Sequence, residues 1–194
     1  MQLNRYPKPL KHCSGFTLAE LLIALAILGV IATFTIPKVL SSQQNGKFKA
    51  IAKEDMAMVS AAYQQYVLTN GYNANIGIKD LTPYMNYITL DTSGAEVDDD
   101  QASGTYACSP IWPCLRLHNG STLAYPASDT FVGTSTTDAV FAHIDPDGQV
   151  NANSKAVAVF LYYNGRLTDE GNIINNTCGT YNPDPSKVPS WFTW

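Results

Sequence analysis

Residues 16–40 read FTLAELLIALAILGVIATFTIPKVL, an apolar run carrying one carboxylate, Glu20. From Phe16 to Ile36 the run has 21 residues. At about 1.5 Å per residue, a helix of that length covers roughly 30 Å, the hydrocarbon thickness of a bilayer. One membrane span is therefore available. A carboxylate inside such a span costs roughly 2.5 to 3.5 kcal/mol on insertion scales, so Glu20 calls for a use. Ahead of the run lies MQLNRYPKPLKHCSG, a short leader with Arg5, Lys8 and Lys11 that ends in Gly15.

Two other readings compete. Arg5, Lys8 and Lys11 form a positive n-region and Val30-Ile31-Ala32 passes for a small-residue cleavage site, as in a secretory signal peptide. Against it, the apolar stretch from Leu21 to Ile36 exceeds the usual ~7 to 15 residue h-region, and such a region gains nothing from a leading carboxylate. A plain transmembrane anchor also leaves Glu20 unexplained.

The segment Gly15-Phe16-Thr17-Leu18-Ala19-Glu20-Leu21-Leu22 resembles the processing site of type IV pilins and of the pseudopilins of type II secretion systems. The resemblance covers residues 1 to about 55. It implies cleavage after Gly15 by a membrane-embedded aspartyl prepilin peptidase, N-methylation of the new terminus at Phe16, an assembly role for Glu20, and a helix-bending role for Pro37. In the filament it implies, Glu20 pairs with the terminal amine of a neighbouring subunit. Breaking a buried charge pair typically costs ~3 to 5 kcal/mol, which would couple correct processing to correct stacking. The implied partners are other copies of the chain and other pilin subunits, the peptidase, an inner-membrane platform protein, a cytoplasmic assembly ATPase, and membrane lipid before assembly. The implied location is a single-pass membrane protein with its head outside the cytoplasm, then an extracellular filament or a periplasmic pseudopilus.

The chain has 194 residues, 45% hydrophobic and 14% charged, enough for one anchor and one globular domain. Losing Arg5, Lys8 and Lys11 with the leader takes the formal charge from −4 to −7, which disfavours nucleic acid as a partner. Of the nine cations that remain, four cluster at Lys38, Lys47, Lys49 and Lys53, just beyond the span, where anionic headgroups would lie. Cations flank the span on both sides, so orientation comes from the resemblance alone.

Beyond Pro37, which lacks a helical donor and should bend or interrupt the spine, apolar residues recur at spacings of three and four. Phe48, Ile51, Ala52, Val59, Ala62, Tyr63 and Tyr66 make one stripe, predicting an amphipathic helix that stops at Asn70-Gly71. The expected organisation is a leader at 1–15, a transmembrane assembly helix at 16–36, an amphipathic continuation at 37–70 and a β-rich head at 71–194. Within the head, Leu115–His118 and Ser121–Tyr125 flank Asn119-Gly120, a dipeptide favoured in type I′ hairpin turns. Ala139–Ile144 and Ala156–Tyr163 form a second pair, and Asn164-Gly165 turns into Arg166-Leu167-Thr168. These predict about four antiparallel strands covered on one face by the helix, an α+β, pilin-like plan. Asp91–Thr105, with Asp98-Asp99-Asp100, reads as an exposed loop.

Asp145-Pro146-Asp147-Gly148-Gln149-Val150-Asn151 resembles a tail motif of pilin-like sequences, with Lys155 and Ala156 where an acidic residue is common. Asp145 and Asp147 also make half of a calcium loop. The further oxygen ligands and terminal Glu of an EF-hand are missing, so the segment is read as a turn, with calcium as the alternative and no metal or cofactor assigned. Cys13 leaves with the leader, so Cys108, Cys114 and Cys178 remain, one pair and one spare. Cys108 and Cys114 flank Ser-Pro-Ile-Trp-Pro, whose prolines favour closure, while Cys178 could pair with either. Zinc is poorer, since three sulfurs with His118 or His143 lack a finger spacing.

Catalysis finds little support. His118 and His143 fall in predicted strands, where imidazoles usually pack, and no nucleophile elbow, phosphate loop or HExxH occurs. The aromatic end, Trp191-Phe192-Thr193-Trp194, reads as a packed terminus or a contact tip. The expectation is a non-enzymatic structural subunit, major or minor, of a type IV pilus or related filament. The alternatives are a type II secretion pseudopilin and a secreted or membrane-anchored binding domain that does not polymerise.

Overall fold

The computed structural model describes residues 15–98, 105–135, 138–150 and 156–168. Two compact units, Met1–Gln43 and Gln44–Trp194, divide the chain, and one helix, α1 (Leu18–Asn70), contributes to both.

In the first unit α1 buries no side chain. Leu21, Leu22, Ile23, Leu25, Ile27 and Leu28 are each more than half exposed. An apolar surface of that extent needs lipid or other helices around it. The helix runs through Pro37 and through Ser41–Gly46 without interruption. Pro37 removes the donor that the Thr33 carbonyl would use, and in the turn before it the Thr33 and Thr35 hydroxyls donate to the Val30 and Ile31 carbonyls at 2.7 and 3.0 Å.

In the second unit α1 turns one face inward. Ile51, Ala52, Met56, Val59, Ala62 and Tyr63 are buried, following the three-and-four spacing of the stripe. The helix ends at Asn70, where Gly71 takes φ +78° and donates to the Val67 carbonyl at 2.9 Å. A short helix α2 (Ile78–Leu81) follows, then strands β1 (Thr89–Asp91), β2 (Glu96–Asp98), β3 (Thr105–Ala107), β4 (Cys114–Arg116), β5 (Thr122–Ala124), β6 (Ala139–Asp145), β7 (Val157–Tyr162) and β8 (Leu167–Thr168).

One antiparallel sheet has the order β1-β4-β5-β6-β7-β8, and β2 pairs with β3 separately. The fold is α+β and pilin-like. Alternation along β6 sends Val140, Ala142 and Ile144 into the core shared with α1, Leu115, Leu123 and Leu161. Phe141 points the other way and packs with Ala158, Phe160, Tyr162 and Trp112. The helix therefore covers one face as expected, and a smaller aromatic cluster covers part of the other.

Three expectations are corrected. Asp91–Thr105 is not simply an exposed loop: β1 ends at Asp91, and β2 buries Val97 and Asp98 completely, Val97 packing on Cys108, Cys114 and Ala124. The turns at Asn119-Gly120 and Asn164-Gly165 are not type I′, which needs positive φ at both central residues. Among described residues only glycines have positive φ, with Gly120 at +90° and Gly165 at +82°. Each asparagine keeps negative φ because its side-chain oxygen accepts the N–H two residues on, Ser121 at 3.1 Å and Arg166 at 3.0 Å. Leu117 donates to the Ser121 carbonyl and Tyr162 to the Arg166 carbonyl, while Gly120 and Gly165 donate back to the Leu117 and Tyr162 carbonyls, which closes three-residue loops with glycine at the left-handed position. Lastly, His118 lies in the first of these turns, exposed, and not in a strand.

Candidate functional site

The start of α1 is held by a reciprocal pair. Thr17 donates its backbone N–H and its hydroxyl to Oε2 of Glu20, both at 2.8 Å, and the Glu20 N–H donates to the Thr17 hydroxyl at 3.2 Å. This is a capping box, which satisfies donors that a helix start leaves orphaned. It folds the Glu20 carboxylate back over the first turn, toward the chain ahead of Thr17. Phe16 is 84% exposed. The leader residues 1–14 lie outside the described residues.

The head holds a second constellation. Asp98, at the end of β2, Asp145, at the end of β6, and Asp147, in the following turn, each bring one carboxylate oxygen within 4.8 Å of the others. Asp98 is fully buried, Asp145 is 1% exposed and Asp147 is half-buried. The turn fixes Asp145: its Oδ1 accepts the N–H groups of Asp147 and Gly148 at 3.3 and 3.2 Å. Gly148 has φ +63°, and a Cβ there would stand 2.3 Å from the Gly120 carbonyl oxygen, so the β6–β7 turn rests directly on the β4–β5 turn. Burial pushes the Asp145 carboxyl up to about 7, helped by its contact with the Asp147 carboxylate and by the charges of Asp147 and Asp98, and opposed by the Gly148 N–H.

A third buried carboxylate belongs to α1. Asp55 is 2% exposed and accepts Ser121 Oγ at 2.7 Å and Asn119 Nδ2 at 2.8 Å. Burial pushes it up to about 6, with Glu54 adding to the rise and the two donors offsetting part of it. A hollow of about 200 Å³ borders Asp55, Glu54 and His118, and its lining contains no serine, threonine or cysteine that could act as a nucleophile. His143 is buried against Trp112 and Phe141, with ring centroids 6.0 and 5.5 Å away.

Cys108 and Cys114 form a disulfide. Cys178 lies outside the described residues, as do Asn151, Lys155 and Trp191–Trp194. Beside the disulfide, Arg116 bridges β1 and β5, donating to Asp91 Oδ2 from Nε and Nη2 at 3.3 and 3.0 Å and to Thr122 Oγ1 at 2.8 Å. The N–H and hydroxyl of Ser93, and then Arg116, hold Asp91 down at about 2.

Residues 10–36, which include the capping box and most of the exposed apolar helix, match the prokaryotic N-terminal methylation motif. The match lies wholly within the amino-terminal segment of the chain. The segment is similar to that of the type II secretion system core protein G of Pseudomonas aeruginosa, 39% identical over 57 residues, which is 29% of this chain and 39% of the relative. The chain thus spans well under half the length of the curated relative that it matches, and its likeness to this pilin-type protein lies in one short stretch. No solved structure matches the chain.

Asp55 and Asp98 are the site residues that sequence reasoning missed. Asp55 carries a signal in hindsight, since it falls on the apolar stripe between Ala52 and Met56 and Val59, where a carboxylate must find donors. Asp98 carries none, because it begins an acidic run that reads as solvated.

Proposed function

We propose that the chain is the precursor of a structural filament subunit, a major or minor pilin-like protein of a type IV pilus or related filament, with no catalytic role. The observation that carries this reading is the methylation motif at residues 10–36, set on a helix whose apolar side chains stand exposed. The leader is cut between Gly15 and Phe16 by a prepilin peptidase and Phe16 is methylated. Residues 16–36 sit in the membrane as a single span, residues 37–70 continue the helix, and the head at 71–194 lies outside the cytoplasm. Extraction by a platform protein and an assembly ATPase then exchanges lipid contacts for contacts with neighbouring helices.

Glu20 supplies the register. Cleavage creates a positive amine at Phe16, and a carboxylate folded over the first turn is the natural partner for an amine, on its own chain or a neighbour's. Pro37 eases curvature where the helix leaves the membrane. The likeness to core protein G favours a second reading, a pseudopilin confined to the periplasm. Co-purification with secretion-channel proteins rather than recovery in sheared surface filaments would select it.

Intact mass and amino-terminal sequencing of the protein from native membranes test the reading. A chain beginning at methylated Phe16 supports it. A start near Thr33 indicates a secreted soluble domain, an uncut Met1 indicates a plain anchor, and either result overturns it.

A further inference from the structure

We propose that a hollow in the head, between the last turns of α1 and the β7–β8 turn, binds the terminal sugar unit of a neutral glycan. It has a volume of about 260 Å³ and is lined by Tyr63, Gln64 and Val67 of α1, by Tyr72 just past the helix, and by Asn164 and Gly165 of the turn. Small-molecule pockets usually run from ~300 to 1,000 Å³, so this one suits a single ring.

The walls are preformed. Tyr63 is buried, its hydroxyl donates to the Tyr163 carbonyl, and its ring meets Phe131 edge-on with centroids 6.0 Å apart. At Gly165, where φ is +82°, a Cβ would stand 3.2 Å from the Tyr63 ring, so glycine lets the turn lie against it. Gly71 turns the chain back, and Tyr72 leans on Tyr163 with centroids 5.8 Å apart while staying 67% exposed.

The lining chemistry selects the ligand. It contains no charged side chain, so nothing in it offsets an ion's lost hydration. Two amides keep unused capacity. Gln64 Nε2 donates to Ser60 Oγ at 3.4 Å while Oε1 accepts nothing among the described residues, and Asn164 Oδ1 accepts the Arg166 N–H at 3.0 Å while Nδ2 donates to nothing among them. A wholly apolar ring would cover that acceptor and that donor without satisfying either. A sugar is neutral, its hydroxyls both donate and accept, and its C–H face suits the negative face of a tyrosine ring. Tyr72 and Asn164 are exposed and leave the mouth open, so the rest of a glycan can trail into water.

The site stands whether or not the chain polymerises, so its test is separate from that of the filament reading. The full chain, held in dodecylphosphocholine micelles to avoid a sugar detergent, is titrated with glucose, galactose, N-acetylglucosamine and phenol, and binding is followed by saturation-transfer NMR. Saturable binding of at least one sugar, tighter than that of phenol, is expected. Asn164→Asp keeps the Oδ1 that caps the turn and loses the Nδ2 donor, and it should weaken that sugar by about fivefold, the worth of one hydrogen bond. Tyr72→Ala should weaken it similarly and Tyr72→Phe should not, since the ring face and not the hydroxyl makes the contact. Tm should stay unchanged in the two Tyr72 variants, because the side chain is mostly exposed. No saturable signal from any of the three sugars overturns the site, as does sugar binding that survives both Asn164→Asp and Tyr72→Ala. Phenol binding more tightly than every sugar identifies an apolar pocket instead and equally overturns it.

Discussion

Ser121, in the turn after β4, donates its hydroxyl to Oδ2 of Asp55 on α1 at 2.7 Å, joining helix to sheet across 66 residues of sequence. Asn119 of the same turn donates to the other oxygen of Asp55 at 2.8 Å, and its Oδ1 accepts the Ser121 N–H at 3.1 Å. A helix laid on a sheet by apolar contacts alone can slide by a turn at modest cost. This polar triplet fixes its register, because any slide strands a buried carboxylate.

The triplet makes stability depend on pH. Asp55 lies near 6 in the folded chain against an ordinary 3.8, so the folded state holds the proton more tightly. Its contribution is fully present below about 4 and is lost as the pH rises through about 6, at about 1.4 kcal/mol per unit. Asp55→Asn should flatten this part of the profile and leave the chain as stable or more stable at neutral pH. Urea midpoints of wild type and variant at mildly acid and neutral pH measure the difference. Parallel profiles would remove Asp55 from the account.

Gly148→Ala should be costly twice over. Its φ of +63° suits glycine, and an added Cβ would meet the Gly120 carbonyl oxygen at 2.3 Å. The conformational part alone is about 1 to 2 kcal/mol, and the clash adds to it. Gly46→Ala, where nothing lies within 4 Å, is the matched control and should be neutral or slightly stabilising. Thermal unfolding of the two variants side by side reads the contrast.

Reducing the Cys108–Cys114 pair, or replacing both cysteines by alanine, should lower stability by roughly 2 kcal/mol, the loop-closure value for so short a ring. The loss should be local. Hydrogen exchange should quicken around β2 and β3, where Val97 rests on the pair, and stay slow in β6 and β7. Equal acceleration throughout would show that the disulfide supports the whole sheet.

The observed cap at Glu20 and the proposed charge pairing can be separated by substitution. Glu20→Gln keeps an oxygen for the Thr17 N–H, so the capping box survives, but removes the charge. Thr17→Ala keeps the charge and loses the cap, at about 1 kcal/mol of helix stability. If charge pairing drives assembly, Glu20→Gln should cut filament incorporation sharply while cleavage persists, and Thr17→Ala should cut it little. Counting the protein in sheared filaments decides, and full incorporation of Glu20→Gln would leave the carboxylate with only the cap.

Local signals carried much of the head. The alternation in β6 and β7 set which residues face α1, and Asn70-Gly71 marked where the helix stops. What escaped was long-range. Val97 and Asp98 are buried through contacts with residues of other strands, which an acid-rich stretch does not advertise. Asp55 is explained only by Ser121 and Asn119, and the turn type depended on side-chain bonds that Asn-Gly alone does not specify.

The Cys108–Cys114 ring closes within one stretch of chain and contains no residue of α1. The main chain leaves α1 at Gly71, and the side-chain links from α1 to the sheet among the described residues include the apolar stripe, the Asp55 triplet, and the Tyr63 hydroxyl on the Tyr163 carbonyl, all noncovalent. A pull along α1 is therefore carried in shear by side chains that must let go together. The redox state of the cysteines leaves that breaking load untouched, so a head under tension would fail by losing its helix rather than by opening its covalent loop.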